Sequence, residues 1–162
     1  MKYHQKDQEE GRLATKVKKL FEEKRMGTSF LFVANFCIAE TFNTLARYFY
    51  EEKLIPEKAY GSYKEALHED VVGGKILYSY ELSRRHILGA DDIFKTEHTL
   101  SRRNGDSLST FDILLISMGM DITRVVGKGN LKILVKENRI VDVCRSSSEF
   151  PLAVHIEKFS PS

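Results

Sequence analysis

Leu108-Ser-Thr-Phe-Asp-Ile-Leu-Leu-Ile-Ser-Met-Gly-Met120 is the stretch on which the fold turns. It places one acid, Asp112, in the first turn of an otherwise apolar helix. A desolvated carboxylate is costly unless it is paired, so its presence asks for a role. The helix runs through a glycine-containing turn, Gly127-Lys-Gly-Asn130, into the strand-like Leu131-Lys-Ile-Leu-Val135 and then the polar Lys136-Glu-Asn-Arg139. Upstream, Phe30-Leu-Phe-Val-Ala34 has the same strand-like character and leads into a helix bearing Glu40. In α/β sheets functional groups gather just beyond the carboxyl ends of the strands. The acids sit near such ends, which predicts a shared acidic cleft.

Strands are expected at residues 30–34, 75–80, 131–135 and 152–156. Helices are expected at 12–25, 36–52, 56–70 and 83–97, from Ser109 onward, and at 138–145. Leu13, Val17, Leu20 and Phe21 recur at helical spacing, as do Ile38, Phe42, Leu45 and Phe49. Pro56 is expected at a first helical position and Ser83 as a cap. Strands alternating with helices imply an α/β domain of three layers, with a mainly parallel central sheet and helices on both faces. A length of 162 residues suits a single domain, 1–162, with a sizeable core.

Composition narrows the function classes. No apolar run approaches the ~20 residues that span a bilayer, so no membrane partner is expected. The charged start, Met1-Lys-Tyr-His-Gln-Lys-Asp-Gln-Glu-Glu10, lacks the apolar core of a signal peptide. Cys37 and Cys144 form no Cys-x-x-Cys pair and read as thiols in a reducing, cytoplasmic setting. A net charge of +2 does not by itself point to nucleic acid. His4, His68, His86, His98 and His155 show no metal-ligand spacing. No phosphate loop is present, and no Ser/His/Asp order or reactive-cysteine context stands out, which disfavours covalent catalysis. Arg84-Arg85 and Arg102-Arg103 are candidate phosphate contacts, since guanidinium forks suit phosphate oxygens.

Taken in order, Ile38-Ala-Glu40 on a helix after a strand, Ser109-Thr-Phe-Asp112-Ile-Leu-Leu on a later helix, and the polar turn around Asn138 after a strand resemble the PIN domain family. The resemblance covers roughly residues 12–159. It implies an α/β, metal-dependent endoribonuclease of the kind that includes the toxin halves of toxin–antitoxin pairs. By this likeness Glu40 and Asp112 are the catalytic acids and ligands of Mg²⁺ or Mn²⁺. Asn138 falls where the family often has an Asp, and supports the metal or its water. The implied partners are RNA and an antitoxin protein, with a homodimer as an open option. Ligands of one ion or of paired ions would set the Glu40 and Asp112 carboxylates on the order of 4–8 Å apart.

One feature departs from the family, which opens with a strand ending in an Asp. This chain opens on a charged helix, with no apolar run before Leu13. Either that strand lies upstream of Met1, which is the expectation, or the protein lacks it and its acid. Without it Glu40 and Asp112 alone would bind metal weakly. A non-catalytic PIN-like module that binds RNA or protein is therefore the alternative function.

Each residue also has a structural reading. Ser109-x-x-Asp112 is a capping box. Glu40 shares its side of the helix with Asn43, Thr44 and Arg47, as a solvated face would. Asn138 could cap its helix, Asp106 could orient its loop, and Asp91-Asp92 read as surface charge.

Overall fold

The computed structural model describes residues 2–100 and 107–160 and, within them, side chains from Glu10 onward, Val72 excepted. The chain divides into two compact units, one formed by Thr15–Glu81 and the other by Met1–Ala14 with Leu82–Ser162. They are called the N-terminal and C-terminal units below. Helix α1 (Lys2–Arg25) contributes residues to both.

In the N-terminal unit, β1 (Leu31–Ala34) passes directly into α2 (Asn35–Tyr50). Then come α3 (Glu57–Leu67), a π-helical turn (His68–Val72) and β2 (Leu77–Tyr80). Pro56 is the cap of α3 rather than its first residue, because its ψ of 158° is still extended. Strands β1 and β2 pair in parallel, from Leu31↔Leu77 to Ala34↔Tyr80. The core here is thin. Leu20, Ala34, Val71 and Ile76 are buried among the described side chains of this unit, and the α2 stripe Ile38, Phe42, Leu45 and Phe49 is only half-buried. Aromatic packing holds α2 to α3 instead, with Phe49 and Tyr60 stacked at 4.6 Å.

The C-terminal unit is better filled. It contains α4 (Arg84–Thr99), α5 (Thr110–Val126), a 3₁₀ turn (Lys128–Asn130), β3 (Lys132–Val135), α6 (Asn138–Arg145) and β4 (Leu152–His155). Strands β3 and β4 are also parallel, from Lys132↔Leu152 to Val135↔His155. Ile93 of α4, Ile113 and Ile116 of α5, Ile133 and Val135 of β3, and Ile140 and Val143 of α6 meet in one core. Helix α5 is apolar nearly all round, as a helix buried on most sides must be. Gly127 ends it with φ 88°, a left-handed conformation that favours glycine, and donates its N–H to the Thr123 carbonyl at 2.8 Å.

The four strands occur where expected and pair in parallel, so the α/β class holds in its coarse form. They do not join in one central sheet. Among the described residues they form two two-stranded sheets, β1–β2 and β3–β4. The alternation of elements explains why. A strand, a helical crossover and a second strand suffice to build each parallel pair. Nothing in that alternation specifies which remaining edges should meet. No helix among the described residues is long and apolar enough to cross a membrane.

Candidate functional site

Asp112 sits in the first turn of α5, and Ser109 precedes the helix as its cap. The Ser109 backbone N–H donates to Asp112 Oδ2 at 2.9 Å, and Ser109 Oγ donates to the same oxygen at 2.6 Å. The Asp112 N–H returns a bond to Ser109 Oγ at 3.2 Å. The capping box foreseen in the sequence is therefore closed on both sides, and Asp112 is half-buried within it.

The carboxyl end of β3 reaches the same place. Asp112 and Ser109 line a cavity of about 360 Å³ together with Lys136, Glu137, Asn138 and Arg139. Asn138 is the first residue of α6, and Glu137, not Asn138, is its cap. The structure thus brings Asp112 and Asn138 together at one hollow of the C-terminal unit. Glu40 belongs to the N-terminal unit, exposed on α2 beside a shallow groove lined by Cys37, Thr41, Thr44, Leu45 and Tyr48. Arg84 and Arg85 open α4 and are exposed, and Arg85 Nη2 lies 2.6 Å from Asp121 Oδ2. Arg102, Arg103 and Asp106 lie outside the described residues. Asp91 and Asp92 are exposed and pair with Lys95.

A larger hollow of about 730 Å³ adjoins this one, since Asn138 and Arg139 line both. Its wall carries Arg139, Arg145, Lys158 and His155, with Asp142 as the opposing charge. Arg139 is held from behind. Its Nη2 donates to the Glu97 carbonyl at 3.2 Å and lies 3.6 Å from Glu97 Oε1. Glu97 is 2% exposed and also accepts the Leu108 N–H at 3.1 Å. A buried carboxylate is tolerable here because a guanidinium and a backbone donor face it. Arg145 and Lys158 form no ion pair among the described residues and extend toward solvent.

Two polar groups of this unit are hard to see in the sequence. Glu97 looks like surface charge, yet it continues the buried stripe His86, Ala90, Ile93, Glu97 at spacings of four, three and four. That periodicity is the signal that could have found it. His86 is also 2% exposed. Its Nδ1 accepts the Ser83 N–H at 2.9 Å, so Nε2 carries the proton and donates to Asp121 Oδ2 at 3.2 Å. Ser83 Oγ lies 3.1 Å from Nδ1, which makes a Ser83–His86–Asp121 series that sequence order does not reveal. The Nδ1 lone pair is already shared with a backbone donor, so the imidazole serves as a strut rather than as a base for Ser83. Ser117 Oγ adds to the strut by donating to the His86 carbonyl at 2.8 Å. Cys144 offers no nucleophile either, because burial pushes its thiol pKa up to about 12.

The resemblance implies Mg²⁺ or Mn²⁺, and the cavity at Asp112 tests that. A hard divalent ion needs several converging oxygens. Asp112 Oδ2 is engaged by two donors, Asn138 adds an amide oxygen, and Glu137 brings a second carboxylate to the lining beside the cations Lys136 and Arg139. Among the described residues no group of three or more His, Cys, Asp or Glu side chains is arranged to hold a metal. This donor set does not by itself fit a resident divalent ion.

No family model, no curated protein and no solved structure matches this chain.

Proposed function

We propose that this chain is a non-catalytic α/β module that binds RNA through its phosphates, using the basic hollow of the C-terminal unit. One observation carries the reading. Arg139, Arg145 and Lys158 converge on a cavity of about 730 Å³ whose lining, among the described residues, holds a single carboxylate, Asp142. Arg139 is fixed by Glu97, while Arg145 and Lys158 are available to anions. Guanidinium and ammonium groups grouped in this way neutralise phosphates and displace their counterions.

The test is fluorescence anisotropy of a labelled RNA pool across a salt series. Arg145→Ala with Lys158→Ala should weaken binding across sequences. It should also reduce the slope of log K against log salt by roughly 1.4, at about 0.7 per lost single-strand phosphate contact. Unchanged affinity and slope would overturn the reading.

A second reading, Mg²⁺- or Mn²⁺-dependent RNA cleavage of PIN type, rests on Asp112 and Asn138 lining one cavity at the end of β3. With Glu137 the lining offers two carboxylates, and the reading needs further oxygen donors beside them. Its test is cleavage of labelled RNA with Mn²⁺ against EDTA, where the first reading expects none. Robust EDTA-sensitive cleavage that Asp112→Asn abolishes would promote this reading over the first.

A further inference from the structure

The N-terminal unit carries a surface that the phosphate reading leaves unused. The parallel register sets Phe32 opposite Tyr78 and Ala34 opposite Tyr80. Alternate residues of a strand share a face, so Phe30, Phe32, Tyr78 and Tyr80 stand on one side of the β1–β2 sheet. Their rings form a continuous row. Phe30 and Tyr78 have centroids 6.0 Å apart, Phe32 and Tyr78 6.1 Å, and Phe32 and Tyr80 6.4 Å. The row is open to solvent, with Phe30 70% exposed, Phe32 43% and Tyr78 39%. That is unusual for parallel strands, whose faces are normally both covered. A contiguous exposed aromatic patch marks a binding surface.

The cation at its edge says what kind. Lys24 Nζ lies 4.9 Å from the Phe30 centroid and 4.5 Å from the Tyr78 centroid, and donates to the Tyr78 hydroxyl at 3.2 Å. Arg25 follows it at the end of α1. An apolar protein face laid on these rings would strand the ammonium without a counter-charge, which is costly. A nucleic acid strand answers both features, since its bases stack on the rings and its phosphates meet the cation. A duplex hides its base faces, so only unpaired bases can use such a surface.

We infer that the Phe30, Phe32, Tyr78 and Tyr80 face is a stacking platform for the unpaired bases of single-stranded RNA, with Lys24 meeting the backbone. The inference deepens the RNA reading and rests on it for the ligand class, but on none of its residues.

The experiment compares a fluorescein-labelled oligouridylate with an abasic ribose-phosphate chain of equal length, by anisotropy on the full chain. Ultraviolet crosslinking to the oligouridylate, mapped by mass spectrometry, is run in parallel. Oligouridylate should bind more tightly, and crosslinks should fall on Phe30, Phe32 or Tyr78. Phe32→Ala should weaken oligouridylate binding on the order of 5- to 150-fold while leaving the abasic chain unaffected. Tyr78→Phe, which keeps the ring, should bind nearly as well as the parent. Crosslinking of the parent protein decides the matter even if Phe32→Ala fails to fold.

Equal binding of the two ligands, with crosslinks elsewhere, overturns the platform and leaves the phosphate reading standing. If Phe32→Ala abolishes binding while Arg145→Ala with Lys158→Ala changes nothing, the phosphate site falls and the platform stands. A dimer that Phe32→Asp dissociates, together with no preference for bases, would make this face a contact between copies and would overturn the platform.

Discussion

Gly119→Ala should destabilise the C-terminal unit, although Ala is the better helix former. Gly119 lies inside α5, where the exchange alone would gain about 0.8–1.0 kcal/mol. Packing opposes it. A Cβ at this position would press on Ile133 Cδ1 and stand 3.2 Å from Ile133 Cγ1 and 3.0 Å from Pro151 Cγ. Ile133 is 9% exposed and Pro151 less than 2%, so neither can swing into solvent. Overpacking a filled core by one methyl costs about 1–3 kcal/mol. The balance is a net loss of roughly 0–2 kcal/mol. Ile133→Val removes the atom most in the way, and alone should cost about 0.5–1.5 kcal/mol. In the Gly119→Ala background it should cost much less or even stabilise, a coupling of about 1 kcal/mol. Urea unfolding followed by circular dichroism on both single variants and the double variant measures this. Additive losses would refute the reasoning, as would a Gly119→Ala protein more stable by the full helix-propensity gain.

Asp112→Ala should cost about 0.5–2 kcal/mol through the opened capping box, and Asp112→Asn less because an acceptor remains; urea midpoints of the two variants check the order. Glu97→Ala should cost about 1–3 kcal/mol, since it leaves the buried Leu108 N–H unpaired and removes the carboxylate facing the Arg139 guanidinium, which keeps its bond to the backbone carbonyl at 97; a thermal shift smaller than that of an exposed control such as Glu81→Ala would contradict it. Iodoacetamide at pH 8 should label half-buried Cys37 in the folded protein and spare Cys144, with both labelled in denaturant, as read by mass spectrometry. The Cys144 thiol ionises near 9.0 when unfolded and about 12 when folded, so its contribution is intact below pH 9 and is lost as pH climbs toward 12; Cys144→Ala should flatten that part of the alkaline unfolding curve.

Local chemistry made the elements legible. The Ser109 cap, the alternation of apolar runs with helical stripes, and Gly127 at the end of α5 each act within a few residues, and they appear where the pattern puts them. Long-range partnerships were not legible. The strand pattern predicts parallel pairing but not the separation into β1–β2 and β3–β4, because edge choice depends on which surfaces meet in space. The Asp112 and Asn138 hollow could be anticipated from strand ends, whereas the burial of Glu97 shows only in its four–three–four spacing with Ile93, Ala90 and His86, against the rule that a lone acid on a helix is solvated. His86 and Asp121 are 35 residues apart, and no local spacing joins them. The aromatic row escaped notice because its members come from two strands, and only their register makes them neighbours.

That same difference in sequence separation bears on the order of folding. Strand β4 finds β3 across 20 residues, Lys132 to Leu152, whereas β2 finds β1 across 46, Leu31 to Leu77. Closing the longer loop costs about 0.7 kcal/mol more in chain entropy. The shorter loop also carries most of its reward with it, since Ile140, Val141, Val143 and Cys144 are all buried between the two strands in sequence. Early structure therefore belongs at β3–α6–β4, with φ-values at Ile140 and Val143 well above those at Val33 and Ile76. The N-terminal unit, with its half-buried helices, then has the later and less cooperative assembly, and its amides should exchange with solvent first.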